Sequence, residues 1–268
     1  MKEQASPAFD SIAVEYDDVF TRSWIGQQQR AQVWRFLEKN IHVERENVIL
    51  ELNCGTGEDA CMLAEKGHKV VATDISEFMI EQAKLKQRER SINRLELILT
   101  DMKSVASLFG NERFDLIFSN FGGLNCLSPT EIKLLSQDLA GLLQKPGKII
   151  LVVMSRKCIW EKFYFYFKGM KSQAQRRNSP GAVRVNLGKS EQKTWYYSPE
   201  EISNLFKEHF KKEKARAIGL FVPPSYLEPG IRNKNFLKIM LKGLDRIFSS
   251  FPFFANYGDH FIIELRKK

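Results

Sequence analysis

Val48-Ile49-Leu50-Glu51-Leu52-Asn53-Cys54-Gly55-Thr56-Gly57-Glu58-Asp59-Ala60 reads as a strand, a tight turn and the start of a helix. Val48 to Leu52 is a continuous apolar run broken by one acid, the pattern of a short strand buried on both faces of a parallel sheet. Gly55 and Gly57 let the backbone approach a ligand with no Cβ in the way, and the free amides at a helix start favour a polar or anionic ligand edge. Such a turn opens many nucleotide-binding units, but it also serves as a plain packing turn.

Two further strand ends sharpen the reading. Lys69 to Thr73 is a second strand-like run that ends at Asp74, 23 residues after Glu51, about the spacing at which a doubly wound fold sets an acid opposite a ribose diol. A third run, Leu95 to Thr100, is followed by Asp101-Met102. Acids in these places can cap the following helices. Capping accounts for each one singly, but not for three at the same end of successive strands, where open α/β sheets bind their ligands.

With Phe114-Asp115-Leu116-Ile117-Phe118-Ser119-Asn120 as a fourth strand and Leu143-Gln144-Lys145-Pro146-Gly147-Lys148-Ile149-Ile150-Leu151 as the turn into a fifth, the chain resembles the class I S-adenosylmethionine-dependent methyltransferases. The resemblance covers roughly Phe9 to Met154 and, more loosely, the last two strands. It implies an α/β fold: a Rossmann-like, doubly wound sheet of seven strands with the last antiparallel, flanked by helices, with an added lid after strands five and six. It implies S-adenosylmethionine as methyl donor and S-adenosylhomocysteine as product, and no metal. In that arrangement the Gly55 to Gly57 turn holds the methionine part, Asp74 the ribose, and Asp101 with Met102 the adenine. Tyr16, Glu51, Asn53, Cys54, Ile75, Met79, Asn120 and Phe121 complete the expected donor site. Asn53 stands where the family has its first glycine; Asn tolerates a left-handed backbone better than other non-Gly residues.

At 43% hydrophobic and 27% charged residues, the 268-residue chain can bury a full core. No apolar run is long enough to span a bilayer, and Met1 to Ala5 lacks the apolar core of a secretory signal, so a cytoplasmic location is expected. Cys54, Cys61, Cys126 and Cys158 form no Cys-x-x-Cys pair and read as reduced core residues. The net charge of +9 lies outside Val48–Met154, mostly after Ser155, in Arg156-Lys157, Lys168 to Arg177, Lys211 to Arg216 and the last three residues. A partner of the basic surface would meet those segments.

Three units are expected: residues 1–154 as N-terminal helices plus donor-binding core, 155–197 as an inserted lid, and 198–268 as the rest of the core with a second excursion at about 222–258. Phe9-Asp10-Ser11-Ile12-Ala13-Val14-Glu15-Tyr16-Asp17 is similar to the opening of many small-molecule and quinone-type methyltransferases, where such a segment folds over the cofactor; its helical spacing equally suits packing on the sheet edge. Gln27 to Lys39 reads as an amphipathic helix with Val33, Trp34 and Leu37 inward. In the helix Ser76 to Arg90, Phe78 is expected in the core, while Met79 could wall the adenine or fill core.

Phe121-Gly122-Gly123 replaces the Pro-Pro-aromatic stretch of amino-group methyltransferases acting on nucleobases, which argues against that chemistry and leaves room for a flat substrate; the alternative is a loop needing unusual dihedrals. Ser128-Pro129-Thr130-Glu131 and Ser198-Pro199-Glu200-Glu201 are capping boxes. Between strand five and the second box lie an aromatic run, Trp160 to Phe167, and two strand-like runs, Ala182–Leu187 and Gln192–Tyr197. Strand six is expected at Ala215–Phe221 and strand seven at Phe261–Arg266. The aromatics are expected to line a pocket over the methyl group; closing a small subdomain or a homodimer interface is the competing reading, and a membrane-surface role for Phe248–Phe254 is a third.

Methyl transfer needs alignment and, for a hydroxyl or amine acceptor, a base. His260 and, behind it, Tyr16 and Tyr257 are the candidate catalytic groups, with His42, His68 and His209 placed away from the ligand edge. The leading function is methyl transfer from S-adenosylmethionine to the O, N or C atom of a small hydrophobic or aromatic acceptor. An RNA methyltransferase using the basic lid and a non-catalytic donor-binding protein are the alternatives.

Overall fold

The computed structural model describes residues 8–41, 45–111, 113–188 and 190–268; His42 and Lys189, and the first seven residues, lie outside them. From the N-terminus run α1 (Ala13–Tyr16), α2 (Trp24–Asn40), β1 (Val48–Glu51), α3 (Glu58–Glu65), β2 (Lys69–Asp74), α4 (Glu77–Glu89), β3 (Leu95–Leu99), β4 (Phe114–Ser119), α5 (Pro129–Leu142) and β5 (Leu143–Met154). There follow α6 (Ile159–Phe167), α7 (Lys171–Gln175), β6 (Val183–Leu187), β7 (Ser190–Thr194), α8 (Pro199–Phe206), β8 (Phe210–Ile218), α9 (Glu228–Ile231), α10 (Asn235–Phe248) and β9 (His260–Lys267).

Seven strands form one sheet in the order β3-β2-β1-β4-β5-β9-β8, with β1 to β5 parallel and β9 antiparallel to both its neighbours. The apolar runs of β1, β2 and β4 are continuous because helices cover both faces. Leu50 and Ile117 pack with Ile132, Leu135 and Leu139 of α5 on one side. Ile49 and Leu116 pack with Val33 and Leu37 of α2 and Leu63 of α3 on the other. Both expected capping boxes form: the Ser128 and Ser198 side chains accept from the Glu131 and Glu201 amides, and each Glu reaches back to its cap.

Four expectations are corrected. Phe78 is 49% exposed rather than core, because the inner face of the first turn of α4 is taken by Met79 and Ile80, both buried, and Phe78 lies outside it. Strand six runs Phe210–Ile218, not Ala215–Phe221. Its lysines, Lys211, Lys212 and Lys214, sit on the last strand of the sheet, where charge discourages pairing with another chain. Asn53 does not use a left-handed backbone: the positive-φ non-glycines among the described residues are Ser91 and Phe121. Its amide instead fills a gap beside Gly123, where a Cβ would stand 2.2 Å from the Asn53 side chain, and it donates to the Asn120 carbonyl at 2.6 Å. Finally, the aromatic helix α6 does not roof the ligand edge. Phe163, Tyr166 and Phe167 are exposed, while Tyr164 and Phe165 stack on Tyr226 of the second excursion and Glu161 is gripped by Arg176 and Arg177.

Candidate functional site

The C-terminal ends of β1, β2, β3 and β4 open into a cavity of about 260 Å³. Its walls include eleven of the residues that sequence singled out: Tyr16, Asn53, Cys54, Gly55, Asp74, Ile75, Met79, Asp101, Met102, Asn120 and Phe121. Glu51, Gly57 and His260 are not on its walls. Gly57 (φ +76°) serves packing, since a Cβ there would meet Ala83 of α4 at 2.8 Å. His260 stands behind Phe121, ring against ring at 5.5 Å, with its Nδ1 3.4 Å from Asp259.

Asp74 is anchored by the turn it faces: Gly55 N–H donates to Oδ2 at 2.8 Å and Ser76 N–H to Oδ1 at 3.0 Å. Burial pushes its pKa up and these amides pull the other way, leaving it above the usual carboxylate range. Glu51 is buried at the end of β1 with neither carboxylate oxygen paired. Burial first, then the charges of Asp59 and Asp74, raise its pKa well above normal. Asp59 and Asp74 thus line the cavity with Glu51 buried within range of both, an arrangement that a cationic ligand would relieve.

Sequence reasoning missed Arg30 and Asp59, which also line the cavity. They form a buried ion pair, and Asp59 further accepts from Asn120 Nδ2 at 2.8 Å and Trp34 Nε1 at 2.6 Å. The Arg30 guanidinium lies 5.1 Å from the Phe121 ring centre, and its Nε has no partner. The signal was available: Arg30 falls three and seven residues before Val33 and Leu37, on the inner stripe of α2, where an unpaired charge would be costly.

Over the cavity lies the N-terminal segment with Ala8, Phe9 and Tyr16, joined by Gln192 of the β6–β7 hairpin. Asp17 fixes this cover, accepting from Thr56 Oγ1 at 2.7 Å and pairing with Lys86 at 2.8 Å. Ser11 Oγ donates to the Leu187 carbonyl at 3.1 Å, tying cover to hairpin. The Phe121-Gly122 turn uses positive φ at both residues, +43° and +85°. Asn125 holds the loop in place, donating through Nδ2 to the Trp195 carbonyl and accepting from the Met154 amide at 2.8 Å. Cys126 also reaches the cavity, but burial pushes its thiol up to about 12, so it stays protonated.

A glycine turn at the first strand, acids at three strand tips and a cavity at the carboxyl edge are the features of a doubly wound α/β fold with its ligand crevice at the strand ends. Residues 49–147 match the family model described as a methyltransferase domain. A demethylmenaquinone methyltransferase of Oceanobacillus iheyensis is 26% identical over 174 residues, covering 62% of this chain and 70% of the relative. One from Clavibacter sepedonicus is 30% identical over 156 residues, covering 57% of this chain and 58% of the relative. The fold is also that of magnesium protoporphyrin IX methyltransferase from Synechocystis, solved with S-adenosylhomocysteine, at a TM-score of 0.60 and 16% identity over 97% of this chain and 96% of that one. Residues 49–147 are thus similar to a methyltransferase domain, on a fold shared with a structure that holds S-adenosylhomocysteine. No described helix is long and apolar enough to cross a membrane.

Proposed function

We propose that the cavity binds S-adenosylmethionine and that the methyl group passes to a small, flat, largely apolar acceptor of the quinol or phenol type. The observation carrying the acceptor class is the lining beyond the acid cluster: Phe9, Phe121 and Leu127 offer apolar surface, with the Tyr16 phenol as a polar handle. The names of the demethylmenaquinone methyltransferases above agree with such an acceptor.

The orphaned atoms support the donor's orientation. Arg30, with its free Nε, suits the carboxylate of a zwitterionic methionyl end, and Asp59 suits its ammonium group. Asp74 retains acceptor capacity for a ribose diol, and Ile75, Asp101 and Met102 flank the position of the adenine. When bound, the donor supplies a methyl on a cationic sulfur, to be taken in line by the acceptor. Alignment is then the main task of the protein. The Tyr16 hydroxyl makes no hydrogen bond to the described residues, and burial first of all pushes its pKa up to about 12, so it acts as a hydrogen-bond donor to the acceptor oxygen rather than as a base. His260, behind Phe121, acts through the ring that it supports.

The test is transfer of labelled methyl from S-adenosylmethionine to a panel of alkylated hydroquinones, catechols and bulk tRNA. Label in the solvent-extractable quinol fraction is the expected result. Label confined to RNA, or none in any fraction while the donor binds, overturns the acceptor assignment.

A further inference from the structure

Helix α10 carries apolar residues on two faces. Leu237, Leu241, Leu244 and Phe248 turn inward, as their burial shows. Phe236, Ile239, Met240 and Ile247 form a second stripe on the outside; Phe236 is 82% and Ile239 73% exposed, and Phe253 beyond the helix is 75% exposed. An outward stripe of this kind on a water-soluble surface costs solvation and marks a contact site. Beside it, at four-residue spacing, run Lys238, Lys242 and Arg246. Lys238 is partly engaged, donating to the Arg232 carbonyl, whereas among the described residues no carboxylate pairs with Lys242 or Arg246. The one acid of the helix, Asp245, is buried and accepts from the Leu220 and Val222 amides, so the exposed surface of α10 carries no negative charge.

From this surface we infer that α10 seats the protein on an anionic lipid bilayer, with its outer apolar stripe in the headgroup boundary and the Lys242–Arg246 stripe against phosphates. The charge pattern selects this occupant over a second copy of the chain. A two-fold dimer on this face would set a basic stripe against itself, since an isologous contact repeats the same patch on both sides. A bilayer rich in acidic headgroups satisfies both stripes at once. The excursion carrying α10 leaves β8 at Ile218, which pairs with His260 as Met154 does, so it departs from the sheet edge that bears the cavity. Docking there would hold that edge near any acceptor dissolved in the bilayer, a consequence that rests on the acceptor class proposed above; the docking itself does not.

Flotation of the full chain with phosphatidylcholine vesicles, with and without phosphatidylglycerol, tests it. Binding to the anionic vesicles that weakens with added salt is expected. Lys242→Gln with Arg246→Gln should weaken it about 30-fold, from about fivefold per basic residue near an anionic surface, and Phe236→Ser with Ile239→Ser at least about tenfold. All four side chains are exposed, and unchanged melting and S-adenosylmethionine affinity confirm that the variants are folded. Equal recovery with neutral and anionic vesicles, or no response to either pair of substitutions, overturns the inference, as does a dimer in sedimentation that Phe236→Ser dissociates without any vesicle binding. A parent chain that transfers methyl but binds no vesicles would sink this surface alone; one that binds vesicles but transfers nothing to quinols would sink only the acceptor class.

Discussion

Replacing Asp74 by Asn separates what this residue does for the ligand from what it does for the fold. Its two oxygens each accept one backbone amide, from Gly55 and Ser76, and a carboxylate has about four acceptor sites, so capacity remains toward the cavity. A hydrogen bond to a charged group is worth about 1.5–3 kcal/mol net. Asn keeps one acceptor oxygen but sets an NH2 group where the carboxylate faced an N–H, so one ribose contact is lost and the other weakened. That sums to about 2–4 kcal/mol, or a rise of about 30-fold to 1,000-fold in the donor's Kd. The ligand-free protein should respond differently. Because burial raises the folded-state pKa of Asp74 above its unfolded value, the stability it confers is complete below the unfolded value and is lost as pH rises through the folded one, so its charge opposes folding at neutral pH. The NH2 group that then faces an N–H forfeits one of the two backbone contacts while the buried charge is removed, so Asp74→Asn should melt within a few degrees of the parent (about 2–4 °C per kcal/mol in a chain of this size). Titration calorimetry with S-adenosylmethionine and S-adenosylhomocysteine, run beside thermal melts, reads both. A Kd within about threefold of the parent refutes the ribose assignment, and a large fall in melting temperature would show that the residue is structural.

Two further outcomes concern the cover. Asp17→Ala removes the Thr56 and Lys86 contacts and should raise the donor's Kd by about tenfold or more while exposing the N-terminal segment to limited proteolysis. Burial pushes the Asp17 pKa up, but the Lys86 and Thr56 hydrogen bonds outweigh it and hold the carboxyl below its ordinary value. The clasp is therefore complete above the unfolded value of about 4 and is lost as pH falls through the lower folded one, so cleavage by an acid-active protease should accelerate only below about pH 4; acceleration already at pH 6 would contradict this. For Tyr16, a phenol titrating at about 12 predicts that Tyr16→Phe lowers kcat/KM by the same factor at every pH from about 7 to 10. Loss of a basic limb near pH 9 in that variant would instead make Tyr16 a base.

What sequence could and could not disclose follows from the range of the forces involved. The β1 turn, the acids at the strand tips and both capping boxes were legible because each is set by residues a few positions apart. The lid was only half legible. Trp160 to Phe167 announces an apolar contact, but apolar density does not name its neighbour: Tyr164 and Phe165 meet Tyr226 rather than the cavity, and Phe163, Tyr166 and Phe167 stay exposed. The residues that do roof the cavity, Phe9, Tyr16 and Gln192, come from segments some 180 positions apart, brought together by Ser11 and Leu187. Arg30 shows the converse case: its place on the inner face of α2 was readable from the helical period, yet its purpose depends on Asp59, which arrives from another helix. An inward charge with no partner in its own helix carries a cost of several kcal/mol if left alone, so it requires a partner from elsewhere in the fold. Where that partner is itself held by two other donors, as Asp59 is by Asn120 and Trp34, the guanidinium is locked in place with its Nε still unpaired, and binding an anionic ligand group is what that rigidity makes possible.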